Sequence, residues 1–114
     1  MGNQDKRQTK RVNQYIQIRY FFGSNTSPIQ VYTEDISSGG IRIHNPFKID
    51  ERYQFPMDIV LDSESDTLMK VIARVAWQRK IENKELWEMG LEFVQMENAD
   101  RELLEKFVEA IEPE

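Results

Sequence analysis

Cysteine is absent from the 114 residues, and histidine occurs once, as His44. The first absence excludes disulfide staples and thiolate metal sites and suits a reducing compartment such as the cytoplasm. The second leaves too few ligands for a zinc centre, which ordinarily needs several Cys or His. His44 is therefore expected as a half-exposed strand residue. No apolar run approaches the roughly 18 residues that cross a bilayer, and the polar start lacks the apolar segment of a signal peptide. The expectation is a soluble, cytoplasmic chain with no metal and no cofactor. Gly39-Gly40 has no Lys-Ser/Thr after it, so it is not a Walker loop. The carboxylates are scattered over loops and the final helix, where they serve solubility and capping, and no acid–base pair stands out. An enzyme is not expected.

Apolar residues make up 39% and aromatic residues 11%, which argues against disorder and for one domain with a real core. The net charge of −5 is unevenly spread. Residues 1–19 hold Lys6, Arg7, Lys10, Arg11 and Arg19 against Asp5 alone, a net +4 that leaves −9 for the rest. An acidic body repels a long nucleic-acid backbone, which counts against a small-barrel single-strand binder. A basic arm still suits a small anion.

The pattern along the chain is mostly one of alternation. Residues 1–11 are polar and expected as a flexible arm, with the folded unit over 12–114. Val12 to Phe22 alternates and predicts a strand; Ile29 to Glu34 predicts a second, with Asp35 to Gly40 as a tight turn and Ile41 to His44 as the returning strand. Arg52 to Leu61 reads as a strand in which Pro56 marks an edge or a bulge. Leu68 to Arg79 places Val71, Ala73, Val75 and Trp77 on one face, and Leu86 to Met96 follows with Gly90 inside it. Asn98 is a capping residue for a helix with the apolar stripe Leu103, Leu104, Phe107, Val108 and Ile111. Six antiparallel strands and a C-terminal helix favour an all-β barrel, whose closure removes exposed edges.

Two clusters carry binding chemistry. Arg7 and Arg11 offer two planar forks that pair with phosphate oxygens or the O6/N7 edge of guanine and stack on bases. In the stretch Asp35-Ile36-Ser37-Ser38-Gly39-Gly40, Asp35 suits the N1–H and N2–H₂ edge of guanine, Ser37 is a donor to a phosphate or base, and Gly40 leaves room for a ring. The same residues also suit a hairpin turn alone, with Asp or Ser bonded to backbone two residues on and glycines at positive φ. Trp77 suits either cross-strand packing or a base-stacking surface, whereas Trp87 reads as structural.

Together, Arg7-x-x-x-Arg11 followed by Val12, Asp35-x-Ser37-x-x-Gly40, Val75-x-Trp77 and Gly90-Leu91-x-Phe93 resemble the PilZ domain over about residues 5 to 110. The resemblance implies a six-stranded antiparallel barrel with a C-terminal helix. It also implies a bacterial receptor for the second messenger cyclic di-GMP, serving processes such as motility and biofilm formation. Carried over by position, Arg7, Arg11, Asp35, Ser37 and Gly40 would hold the ligand, with Lys6 as a further phosphate contact and Trp77 as a base neighbour. The expected mechanism has ligand bridge the arm and the barrel and so alter the surface offered to a partner protein. The alternative is a PilZ-like interaction module that binds no nucleotide.

Overall fold

The alternating strands close on themselves. In the computed structural model, which describes residues 11–12, 14–21, 27–62 and 67–110, the elements are β1 (Arg11–Val12), β2 (Gln17–Tyr20), β3 (Ile29–Ser37), β4 (Gly40–Asn45), β5 (Gln54–Asp62), β6 (Thr67–Lys80), β7 (Trp87–Gln95) and α1 (Asn98–Ala110). Strands β2 to β7 form a ring of antiparallel pairs in the order β2-β3-β4-β7-β6-β5 and back to β2. The short β1 pairs with the far end of β3. The fold is thus a six-stranded antiparallel barrel with one C-terminal helix, as the alternation predicts. Lys6, Arg7 and the rest of residues 1–10, with Ile111 and Pro113, lie outside the described residues.

The inward faces supply the core: Ile18 and Tyr20 from β2, Ile36 from β3, Ile41 and Ile43 from β4, Phe55, Met57 and Ile59 from β5, Met69, Val71 and Ala73 from β6, and Met89 and Leu91 from β7. Burying an Ile, Val, Leu, Met or Phe side chain in this way is worth about 1.5–3 kcal/mol. Tyr20 crosses the interior to donate its hydroxyl proton to Asn45 Oδ1, and Asn45 Nδ2 donates to the Phe47 carbonyl at 2.8 Å. Burial pushes the Tyr20 hydroxyl up to about 12, against the opposing pull of the Asn45 bond. Helix α1 packs on β3 and buries Leu104 and Val108. Its first turn is closed by the Arg101 N–H donating to the Glu97 carbonyl, so Asn98 lies inside the helix and is not its cap.

Several boundaries differ from the sequence reading. The strand expected over 12–22 is interrupted between β1 and β2. Arg11 pairs opposite Ser37 whereas Gln17 pairs opposite Tyr32, a register offset of one residue. Thr33 bridges that offset. Its N–H donates to the Ile16 carbonyl at 2.9 Å, its hydroxyl accepts from the Ile16 N–H at 3.0 Å, and the hydroxyl proton goes to the Gln14 carbonyl. Asp35, Ile36 and Ser37 belong to β3, so the turn is only Ser38-Gly39. Arg52 stands in a turn ahead of β5, and β6 runs on through Lys80. Pro56 lies beyond the β2 ladder, which ends at Met57, so its missing N–H leaves no gap there.

Thr33→Val keeps the shape but leaves the Ile16 N–H and the Gln14 carbonyl without that partner. The expected cost is about 1–3 kcal/mol, read as a lower urea midpoint at unchanged slope, with Thr33→Ser largely restoring it.

Candidate functional site

Two single-residue bulges build the site. Glu34 is the extra residue in β3: Thr33 stands opposite Ile43, and Asp35 opposite Arg42. Ala76 is the extra residue in β6: Val75 stands opposite Leu91, and Trp77 opposite Gly90. Strict alternation would put Asp35 on the inward face of Thr33, and Trp77 on that of Val75. Each bulge reverses the side. The expectation that Trp77 shares a face with Val71, Ala73 and Val75 is thus corrected: those three are buried and Trp77 is 43% exposed.

Because Arg42 is also opposite Gly90, the ladder aligns Asp35, Arg42, Gly90 and Trp77 in one row across β3, β4, β7 and β6. The adjacent row holds Ser37, Gly40, Glu92 and Arg74, and continues to the backbone of Arg11 opposite Ser37. A surface cleft of about 380 Å³ runs over both rows and is lined by Asp35, Gly40, Arg42, Trp77, Gly90 and Glu92, among others. Of the residues singled out from sequence, Asp35, Gly40 and Trp77 share this cleft. Ser37 is buried one row along, and the β1 backbone brings Arg11 alongside it.

Both glycines in the rows are required by packing. A Cβ at Gly40 would lie 2.2 Å from the Leu91 carbonyl oxygen, so β4 and β7 approach too closely for any side chain there. A Cβ at Gly90 would lie 2.3 Å from Trp77 Nε1. The indole therefore rests on bare backbone. Positive φ is not the reason for Gly39 or Gly40, contrary to the hairpin-turn expectation. Nor does the turn present its amides freely: the Gly39 N–H donates to Ser37 Oγ at 3.1 Å. The turn carbonyls are also engaged, Gly39 O by the Phe93 N–H at 3.0 Å and Ser38 O by Arg101 Nη1 at 3.5 Å.

A charged network borders the cleft. Arg42 donates from Nε to Asp35 Oδ2 at 2.8 Å and from Nη1 to Glu88 Oε2 at 2.5 Å. Arg79 donates to Glu88 Oε1 from Nε at 2.9 Å and Nη2 at 2.6 Å. His44 sits 3.6 Å from the carboxylates of Glu34 and Glu88, half-exposed as expected. The hydrogen bond to Asp35, helped by Glu88, raises the Arg42 guanidinium further above its ordinary value despite some burial. The hydrogen bond from Arg79, with help from Arg42, holds the Glu88 carboxyl below its ordinary value. Arg42, Gly90 and Glu88 escaped the sequence reading as site residues. Gly90 carried a signal, since a glycine inside a strand marks a close approach. Trp87 is half-buried against the core with Lys48 Nζ 5.6 Å from its ring centroid, in keeping with a structural role.

The Glu88 carboxyl is ordinary at 4.5 when unfolded and lower when folded. The unfolded chain therefore binds more protons in the window below that value. The stabilisation is complete above it and is lost as pH falls through the depressed folded value. Glu88→Gln should remove this part of the acid dependence, checked by urea midpoints from about pH 3 to about pH 7. Gly90→Ala should drive the Trp77 indole off its seat and shift the protein's tryptophan emission while the barrel remains folded.

A closed six-stranded antiparallel barrel with a C-terminal helix and an Asp-x-Ser-x-x-Gly hairpin defines the class of small β-barrel domain to which this chain belongs. The chain belongs to the PilZ domain family, whose model matches residues 5–110. PilZ domains are non-catalytic receptor modules. The structure resembles the Bacillus subtilis inhibitor of motility MotI/DgrA, with TM-score 0.76 at 18% identity over 90% of this chain and 49% of that one. It also resembles Escherichia coli YcgR in complex with c-di-GMP, with TM-score 0.74 at 13% identity over 94% of this chain and 46% of that one. The isolated PilZ domain of YcgR with c-di-GMP gives 0.70 at 14% identity, over 94% of this chain and 92% of that one. This chain thus spans about half the length of MotI/DgrA and of the longer YcgR chain. No curated protein sequence matches it.

Proposed function

We propose that this chain is a cyclic di-GMP receptor in which the ligand bridges the N-terminal segment and the barrel. The family typically binds this nucleotide. The observation that carries the reading for this chain is the two-row alignment. It gathers Asp35, Gly40 and Trp77 around one cleft and sets the backbone of Arg11 against Ser37. Asp35 accepts from the N1–H and N2–H₂ edge of a guanine, Trp77 offers a stacking surface, and Arg7 and Arg11, with Lys6, grip phosphates and the second guanine edge. Bound ligand alters the surface that a protein partner meets, and the site of action is the cytoplasm. Among the described residues no helix is long and apolar enough to cross a membrane. Control of motility or biofilm formation is the process we assign to this receptor, in line with the family.

A second reading, a PilZ-like interaction module without nucleotide, draws on one observation. Gly40 is needed for the β4–β7 approach and Ser37 for the turn, so both have structural work without any ligand. Calorimetric titration of cyclic di-GMP separates the two. Wild type should bind, and Arg7→Ala, Arg11→Ala and Asp35→Ala should each lose roughly 10- to 100-fold in affinity, since one bidentate or charge-assisted contact is worth about 1–3 kcal/mol. Equal heats in all four proteins would sink the receptor assignment.

A further inference from the structure

Arg42 stands between Asp35 and Gly90 in the first row and lines the cleft, yet the binding motif gives it no part. We propose that Arg42 determines base specificity, donating to O6 of the guanine whose N1–H and N2–H₂ groups Asp35 accepts. The inference rests on the cyclic di-GMP reading above and deepens it.

The chemistry follows from the geometry of the pair. The Watson–Crick edge of guanine carries two donors beside one acceptor, O6. A carboxylate and a guanidinium joined by a 2.8 Å bond present an acceptor beside donors, the complement of that edge. The guanidinium has five N–H groups. Arg42 commits Nε–H to Asp35 and one Nη1 hydrogen to Glu88, which leaves three for a ligand. Its side chain keeps 33% of its surface exposed while Glu88 anchors it from behind, so the donors are fixed in direction and open to the cleft. Glu88 is in turn held by two bonds from Arg79, which fixes the anchor. Next along the row, Gly90 is opposite Arg42, one strand spacing or about 5 Å away across the sheet, and the indole of Trp77 reaches back from β6 to cover it. A ring stacked on that indole has its polar edge toward Arg42 and Asp35. Adenine places an amino group where guanine has O6. That amino group faces the Arg42 donors, and the site rejects it by leaving both sides unpaired.

The rival account makes Arg42 only a positioning residue that holds Asp35. The two differ in selectivity, not in affinity. The full chain, as wild type, Arg42→Ala and Arg42→Lys, is titrated with cyclic di-GMP, with cyclic di-AMP and with the cyclic di-inosine analogue, which keeps O6 and lacks the 2-amino group. Weak ligands are read by competition against labelled cyclic di-GMP. Arg42→Ala should weaken cyclic di-GMP and the inosine analogue alike by roughly 10- to 100-fold, while cyclic di-AMP holds or strengthens, so the guanine preference collapses. Arg42→Lys keeps the charge between Asp35 and Glu88, and so the fold, but one ammonium cannot serve both carboxylates and O6 with a planar fork. It should lose preference in the same direction. A guanine-to-adenine ratio unchanged in both variants overturns this inference and leaves the receptor reading intact. Failure of wild type to bind cyclic di-GMP overturns both.

Discussion

Everything on the cleft face depends on β3 having both edges satisfied at once. One edge bonds β2 and then β1, the other bonds β4, and this double pairing closes the ring. The two edges do not share one register. The β1 and β2 ladders are offset by one residue, which Thr33 absorbs with its hydroxyl and amide, and the β4 ladder slips by one at the next residue, Glu34. A buried threonine that replaces missing ladder bonds and a bulge beside it are two responses to one geometric demand. Strands in a small barrel twist and bend strongly, and β3 bends at this point. The bend is what turns Asp35 outward beside Arg42, so closure of the fold and creation of the cleft are a single event.

The sequence made the core legible and the site only partly so. Runs such as Phe55, Met57 and Ile59, or Met69, Val71 and Ala73, announce their buried face by period alone, because every second side chain meets the same interior. Asp35, Ser37 and Gly40 were recognisable by type and spacing. Trp77 was found as a residue but placed on the wrong face. A bulge leaves no mark in composition; it is decided by the partner strand, and Ala76 looks like any other small residue. Arg42 and Glu88 were invisible for the same reason. Each alternates as an ordinary exposed charge in its own strand, and only the register of β4 with β7 and of β7 with β6 brings them together. The break at residues 14–16 was hidden because the offset it accommodates belongs to β3.

The hairpin turn is held from three sides before any ligand is considered. Ser37 takes the Gly39 amide, β7 takes the Gly39 carbonyl, and helix α1 reaches the Ser38 carbonyl through Arg101. Such a turn is preorganised: little conformational entropy remains to be lost there on binding. Its ties also join it physically to the helix that covers β3. The turn therefore serves as a fixed wall of the cleft, and the network of Arg42, Glu88 and Arg79 fixes the wall beside it.

The bulge at Ala76 decides this face as much as residue identity does. Were β6 to pair regularly with β7 through Ala76, Trp77 would stand opposite Met89 in place of Gly90, and Trp77, Gln78 and Arg79 would each turn to the opposite side of the sheet. The indole would leave the glycine that seats it, Gln78 would leave the Ile49 backbone it bonds, and Arg79 would leave Glu88. Deleting Ala76 does the reverse: it takes the bulge out and leaves Trp77 outward and opposite Gly90. The core below Val75 keeps its pattern either way. The cleft thus tolerates loss of the spare residue but not its absorption into the ladder, so a one-residue gap at this point between related chains is compatible with the same face.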